Sequence, residues 1–352
     1  MIIAFYISGH GLGHASRAIE LMHALASTAP GETRIVVRTS APRWIFDRTA
    51  PSSIDLQPIE VDTGIVQIDS IRIDEAETAR QAARFYRDFD RRVDDEAAVL
   101  REVGADVVVG DIPPLAFAAA ARAKLPSVAV SNFTWDWIYS VYDSFEREAP
   151  HAMPAIRRAY SCASLALRLP MHGGFEPMTT VTRDIPFIVR RSTRDRRDTR
   201  RRLRIADDRP AVLPSFGAYG LDLPYDELAR SDRFGMVRGD FAQLDEHDLH
   251  YQDLVAAVDV VVSKPGYGIV SESVANETAL LYTSRGRFVE YDVFAREMPR
   301  VLRCRYIGQN DLLAGRWADA IDALLEQHAP VERPPIDGAA VAARYVIQLA
   351  RR

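Results

Sequence analysis

The chain has 352 residues, of which 47 % are hydrophobic and 26 % charged, and a formal net charge of −5; this is the composition of a folded globular protein, long enough for two domains. The mild negative charge gives no general reason to bind nucleic acid, and apolar stretches such as 116–121 and 258–262 fall well short of the roughly 20 residues of a membrane-spanning helix. Two distant cysteines, Cys162 and Cys304, exclude a disulfide framework and argue against a zinc site.

In chain order, an apolar β-like run at 2–8 comes first, without a basic start or a small-residue cleavage site, so no secretory signal is expected and the chain reads as cytoplasmic. A helix should open near His14. Apolar runs at 34–39, 106–110 and 127–130, with an alanine-rich helix at 115–124, are spaced as parallel strands buried on both faces. Ala82, Phe85, Phe89, Val93, Ala97 and Leu100 recur at steps of three and four and predict one long amphipathic helix. Gly, Pro and Thr interrupt the rhythm over 170–191, where a linker is expected. Strands at 211–214, 234–238, 259–263 and 279–283 then alternate with helices, and a helix at 317–327 precedes a proline-rich stretch and a last helix at 338–352. The predicted fold class is α/β, with two Rossmann-like doubly wound domains at 1–180 and 181–335 and a C-terminal helix, 336–352, of the kind that crosses back to the first domain.

The loop after the first strand reads Ser8-Gly9-His10-Gly11-Leu12-Gly13-His14-Ala15-Ser16-Arg17. Its glycines permit positive φ and close approach of a ligand, and the following helix offers free N–H groups and the positive end of its dipole, so a negative or polar ligand is expected. A dinucleotide fingerprint would place glycine where His14 stands, so a nicotinamide cofactor is not expected. A histidine at a strand's carboxyl end is placed to take a proton from a hydroxyl. The plain alternative is that His10 and His14 cap the helix.

The run at 259–263 opens into Lys264-Pro265-Gly266-Tyr267-Gly268, and Ser271 and Glu272 lie in the first turn of the next helix. Backbone amides there suit a diphosphate, and the carboxylate suits ribose hydroxyls. The lysine precedes the glycines, unlike a Walker loop. Glycine needed for sheet packing is the alternative. Pro214-Ser215-Phe216-Gly217-Ala218-Tyr219-Gly220 follows another strand at the same edge. In the first half Asp111 ends a strand, and Asn132-Phe133-Thr134-Trp135-Asp136-Trp137 follows another; amides and aromatic faces suit a sugar, although core packing is the commoner use of Trp135 and Trp137.

Other signals carry less. Asp88 and Asp90 point to nearly opposite sides of a helix. His247 and His250, amid Asp245, Glu246 and Asp248, resemble a metal cluster only in composition, and no metal is expected. The arginines from Arg190 to Arg204 read as a solvated helix face, with a basic acceptor or membrane-surface face as the alternative.

Taken together, the loop at 9–14, the segment 264–272 and Arg285, Arg287, Phe288 and Glu290 resemble the GT-B glycosyltransferases related to the N-acetylglucosaminyltransferase of peptidoglycan synthesis. Asp111-Ile112-Pro113-Pro114, 131–137 and 263–272 are still more similar to the glycosyltransferase-like domain that precedes the sugar kinase in plant L-arabinokinases. His10 stands where the peptidoglycan enzyme has glycine, and Glu290 lies near that enzyme's amide-bearing position. The resemblance implies two Rossmann-like domains facing across a cleft. It implies inverting, metal-independent transfer of a sugar from a nucleotide-diphosphate donor, with UDP-sugar favoured, to a hydroxyl of a small-molecule, glycan or lipid-linked acceptor. No cofactor is expected beyond the donor.

The base would be His14 or, second, Asp111. His10, Gly11, Gly13, Asn132 and Trp135 would face the acceptor. Ser215, Phe216, Gly217, Lys264, Pro265, Gly266, Tyr267, Gly268, Ser271, Glu272, Arg285, Arg287 and Glu290 would bind the donor. Peripheral membrane contact and oligomeric state stay open. The alternatives are a nucleotide-sugar binding or regulatory module without turnover, a hydrolysing sugar-nucleotide epimerase and, weakest, a polyanion-binding protein.

Overall fold

Continuous buried apolar runs become strands wherever helices cover both faces of a sheet. The computed structural model, which describes residues 1–352 apart from Glu32, Ser53, Ala218 and Tyr219, contains two such sheets in two units. Unit 1 comprises Met1–Val66, Ile73–Ile188 and Pro335–Arg352; unit 2 comprises Gln67–Arg72 and Val189–Pro334. Among the described residues no helix is long and apolar enough to cross a membrane.

Unit 1 holds strands β1 (Ile2–Ile7), β2 (Arg34–Thr39), β3 (Ile54–Pro58), β4 (Val107–Asp111), β5 (Ser127–Ser131), β6 (Leu165–Arg168) and β7 (Thr182–Asp184), in the parallel order β3-β2-β1-β4-β5-β6-β7. Every residue of β4 and β5 is buried, as the apolar-run reading requires. The register pairs Ile7 with Asp111, so the carboxyl end of β4 emerges beside the turn that leaves β1. That turn feeds the helix Leu12–Thr28, whose first two turns are buried nearly all round, from His14 to Ile19, and which buries Leu21, Met22 and Leu25 beyond them.

Two expectations are corrected in unit 1. The single helix expected across 82–100 is two, Glu75–Arg87 and Phe89–Glu102, broken at Asp88, whose φ of −104° and ψ of 23° leave the helical region. Phe85, Tyr86 and Phe89 cluster at the joint, with Tyr86 and Phe89 ring centroids 5.0 Å apart, so the apolar period runs through the break and hides it. The boundary expected at 180 falls at Ile188. β7 still pairs with β6, and the Phe187 N–H donates to the Pro335 carbonyl at 3.3 Å while the Gly338 N–H donates to the Phe187 carbonyl at 3.0 Å. A Cβ on Gly338 would lie 2.1 Å from the Pro186 carbonyl oxygen, so only glycine fits that crossing. The final helix, Gly338–Ala350, packs on Leu12–Thr28 within unit 1.

Unit 2 holds β8 (Ala211–Pro214), β9 (Gly235–Met236), β10 (Val260–Ser263), β11 (Ala279–Tyr282) and β12 (Cys304–Tyr306), in the parallel order β12-β11-β10-β8-β9. Its core gathers Val212, Val262, Leu281, Phe234 and Trp317 and includes Ile71 from the short segment Gln67–Arg72. The loops after β8, β10 and β11 leave the carboxyl ends of three adjacent strands, the edge at which open α/β sheets bind ligands.

Candidate functional site

In unit 1 the turn after β1 is organised by one buried carboxylate. Gly11, at φ +73°, ends the turn and gives the helix no side-chain cap. His14 and Arg17, three residues apart on one helix face, both reach Asp111. His14 Nδ1 lies 2.8 Å from Asp111 Oδ1, Arg17 Nη2 donates to the same oxygen at 2.6 Å, and Arg17 Nε donates to Oδ2 at 2.6 Å. Burial pushes the Asp111 carboxyl up, but Arg17 first and His14 second outweigh it and hold it below its ordinary value. An ionised Asp111 accepts from Nδ1–H, which fixes the tautomer that leaves Nε2 as a base. A donating Nδ1 cannot also accept from Arg17, so the 3.0 Å approach of Arg17 Nη2 to Nδ1 is two donors meeting at one oxygen. His14 Nε2 has no protein partner among the described residues and is not one of the buried orphaned atoms, so it reaches accessible space.

Around this pair the expected acceptor residues divide. His10 is half-buried; its N–H donates to Ser8 Oγ at 3.2 Å and its Nδ1 accepts from Ile65 N–H at 3.3 Å. Gly11 and Gly13 are partly accessible. Asn132 and Trp135 are corrected: both are 0 % exposed. Asn132 Oδ1 accepts from Arg17 Nη1 at 2.7 Å, and Trp135 Nε1 donates to Asp62 Oδ2 at 2.8 Å. They form the wall behind the histidines, with the Trp135 ring 5.6 Å from that of His10 and 6.4 Å from that of His14. Asp62, whose other oxygen accepts from Ser8 Oγ at 3.0 Å, is fully buried without a cationic partner in contact; burial pushes it up to about 6 against the two hydrogen bonds. Sequence reasoning missed Arg17 and Asp62. The three-residue step from His14 was a signal for the first; Asp62 carries none.

In unit 2 the glycine turns after β8 and β10 sit side by side. Ser215 N–H donates to the Val262 carbonyl at 2.8 Å, and Ser263 Oγ donates back to the Ser215 carbonyl. Gly217 has φ +70° with open space where a Cβ would lie; Ala218 and Tyr219 of this loop lie outside the described residues. Gly266 precedes the helix Tyr267–Asn276, which has no side-chain cap. Lys264 is half-buried, and burial first, then its neighbour Arg285, bring its ammonium down to about 7 against the pull of Asp69 and Glu290. Arg285 is buried, lies 3.5 Å over the Phe288 ring and donates to the Pro265 carbonyl at 3.3 Å. Lys264 and Arg285 thus lie close together at the carboxyl edge of the sheet, with the Asp69 and Glu290 carboxylates within electrostatic reach of Lys264.

The remaining donor candidates are placed as follows. Pro265, Tyr267 and Glu290 are buried, Gly268 is half-buried and Arg287 is exposed. The Phe216 side chain is corrected to a core member, which leaves only its backbone for a ligand. Ser271 is corrected likewise, because its Oγ donates to the Gly268 carbonyl at 3.0 Å within its own helix. Glu272, 4 % exposed, is held by Arg190 through Nε at 2.7 Å and through Nη2. Most of the arginine run is stitched into the fold: Arg194 pairs with Asp248, Arg196 and Arg200 with Asp259, and Arg201 and Arg202 with Asp198. At the start of the helix Tyr251–Ala257 the His250 N–H donates to Asp253 Oδ2 at 2.8 Å.

No family model matches the chain. In sequence it is 30 % identical to L-arabinokinase of Arabidopsis thaliana over 366 aligned positions, which cover 99 % of this chain but only 34 % of that protein, so the chain spans about a third of that relative's length. In structure it is similar to Phytolacca americana UGT2, solved with UDP-2-fluoro-glucose and pterostilbene, at TM-score 0.60 and 13 % identity, covering 99 % of this chain and 94 % of that one. The glycosyltransferase VinC, solved with dTDP, matches at TM-score 0.56 and 16 % identity over 100 % and 95 % of the two chains. MurG of Acinetobacter baumannii matches at 0.52 and 10 % over 99 % of each. The chain has the GT-B glycosyltransferase fold and resembles, over nearly its whole length, a part of the plant L-arabinokinase.

Proposed function

We propose that the chain is a glycosyltransferase that moves a sugar from a nucleotide-diphosphate donor, UDP-sugar favoured, to an acceptor hydroxyl, with inversion and without a metal ion. The observation that carries this reading is His14, its Nδ1 tied to a buried ionised Asp111 and its Nε2 accessible. Nε2 takes the acceptor's proton as the acceptor oxygen bonds to the anomeric carbon, while the bond from that carbon to the diphosphate breaks on the opposite face. Asp111 steadies the imidazolium. Asp111 itself, buried and bonded by Arg17 on both oxygens, orients the base and does not replace it. In unit 2 the cations Lys264 and Arg285 and the turn amides would neutralise the leaving diphosphate. Glu272 would serve the ribose while Arg190 holds its Oε1.

The test is a panel of UDP- and dTDP-sugars with hydroxyl acceptors, read as release of nucleoside diphosphate. His14→Ala should lower turnover by roughly 10²–10⁴-fold with nucleotide binding unchanged; undiminished turnover would refute His14 as base. The resemblance to part of L-arabinokinase favours a second reading, a nucleotide-sugar binding module, which wild-type binding without turnover would select. Conversion of donor with no acceptor would select an epimerase.

A further inference from the structure

The chain leaves unit 1 after Val66, gives Gln67–Arg72 to unit 2 and returns at Ile73. This short excursion is not a slack connection. Asp69 Oδ1 accepts the N–H groups of Ile71 at 2.9 Å and Arg72 at 2.8 Å, its Oδ2 accepts from Arg72 Nε at 2.6 Å, and Ile68 N–H donates to the Arg72 carbonyl at 2.9 Å. The closed loop projects Ile71, 4 % exposed, into the unit 2 core beside Val212, Phe216 and Val262. An apolar side chain seated in that way fixes its neighbour, Ser70.

Ser70 is 0 % exposed, and its Oγ donates to the Phe216 carbonyl at 2.5 Å. One residue earlier, Ser263 Oγ holds the Ser215 carbonyl. In a trans peptide the N–H is antiparallel to the C=O, so two hydroxyls that pull these carbonyls in one after the other turn the N–H groups of Phe216 and Gly217 away from the serines. Among the described residues no acceptor takes either N–H. Gly217 has φ +70°, and no atom of the described residues lies within 4 Å of where its Cβ would be. Consecutive free amides of this kind bind anions, and Asp69, on the same short loop, lies within electrostatic reach of Lys264.

We propose that Ser70 is a positioning residue of the donor site: its hydroxyl, carried in by the loop Gln67–Arg72, fixes the Phe216–Gly217 peptide so that its N–H meets a diphosphate oxygen of the nucleotide. The inference rests on the donor-site reading above and deepens it. It assigns Ser70 to the diphosphate and not to the nucleoside, which makes it separable from a general packing role.

The experiment measures calorimetric affinities of the full chain for UDP and for uridine, with dTDP and thymidine in parallel. Ser70→Ala should weaken diphosphate binding about tenfold, the worth of one hydrogen bond, while nucleoside affinity stays as in wild type, so the ratio of the two falls by the same factor. Ser70→Cys, nearly isosteric but with a weak donor, should lower the ratio likewise and serves if the alanine variant does not fold. A ratio unchanged in the variants, or both affinities falling together, overturns the role of Ser70 while leaving the donor site standing. Wild-type protein that binds neither UDP nor dTDP overturns the donor-site reading itself, and with it this inference.

Discussion

The turn after β1 in unit 1 and the turns after β8 and β10 in unit 2 occupy the same place on similar sheets, yet they are finished in opposite ways. In unit 1 side chains do the work: Asp111, Arg17, His14, Asn132 and Ser131 form a network whose members bond one another. In unit 2 the edge is left with backbone amides and two crowded cations, Lys264 and Arg285. The difference is chemical. On the reading of His14 as the base, one tautomer and one orientation are needed before substrate arrives, and the Asp111 carboxylate supplies both. On the donor-site reading, a diphosphate brings its own charge and is met by backbone amides and neighbouring cations.

The sharpest way to break that comparison is to remove the cation that completes the unit 1 network. Arg17→Met leaves the Asp111 carboxylate buried with no cationic partner among the described residues, only the Nδ1–H of a neutral His14, and breaking a buried pair by removing one member costs about 3–5 kcal/mol. The expected result is a loss of that size in urea unfolding at pH 7. A loss below about 1 kcal/mol, the worth of an exposed pair, would mean that the network does not hold the turn.

Asp62 tests the wall behind that network, since its bonds are to Ser8 and Trp135 and among the described residues no cation bonds to it. Its pKa is raised to about 6, so the folded protein favours the protonated form. Its contribution to stability is therefore fully present below pH 4 and lost as pH rises to about 6, a change of up to about 3 kcal/mol. Asp62→Asn keeps an acceptor for Trp135 and reverses the bond to Ser8, its Nδ2–H donating to the hydroxyl oxygen that now donates to Asp62. The stability of the variant relative to wild type should climb between pH 4 and pH 7; a difference flat with pH would place Asp62 outside this account.

These residues also mark what a sequence can and cannot say. β4, β5 and β10 were legible because parallel strands covered on both faces must be continuous apolar runs, and the turn at Gly9–His14 because glycines and histidines at a strand end are rare without cause. The helix break at Asp88 was not, because Phe85 and Phe89 keep the apolar period across it. Trp135 and Asn132 read as sugar-facing by composition, and their burial is decided by Asp62 and Arg17, distant in sequence. Ser70 lies in a stretch with no periodicity at all. Ser271 was assigned by its position in a first turn, but a hydroxyl there can bond back to its own helix, and position does not distinguish the two.

The smallest expected effect sharpens the comparison from the unit 2 side. On the donor-site reading, a bound anion must restore the charge that burial and Arg285 have taken from Lys264. With its pKa at about 7, Lys264 in the free protein is charged below that pH and neutral above it. A bound anion raises the pKa again, so the complex takes up a proton near pH 7. UDP-glucose, a diphosphate diester that does not itself titrate in this range, is the suitable probe. Wild-type affinity should be greatest at pH 6 and fall about tenfold, 1.4 kcal/mol, by pH 8, and calorimetry in buffers of differing ionisation heat should register proton uptake at pH 7. Lys264→Met should bind at pH 6 about as weakly as wild type at pH 8, with no uptake and little slope. If the variant retains the wild-type slope, the titrating group is elsewhere and the contrast between the two turns is one of side chains against backbone alone, without the charge.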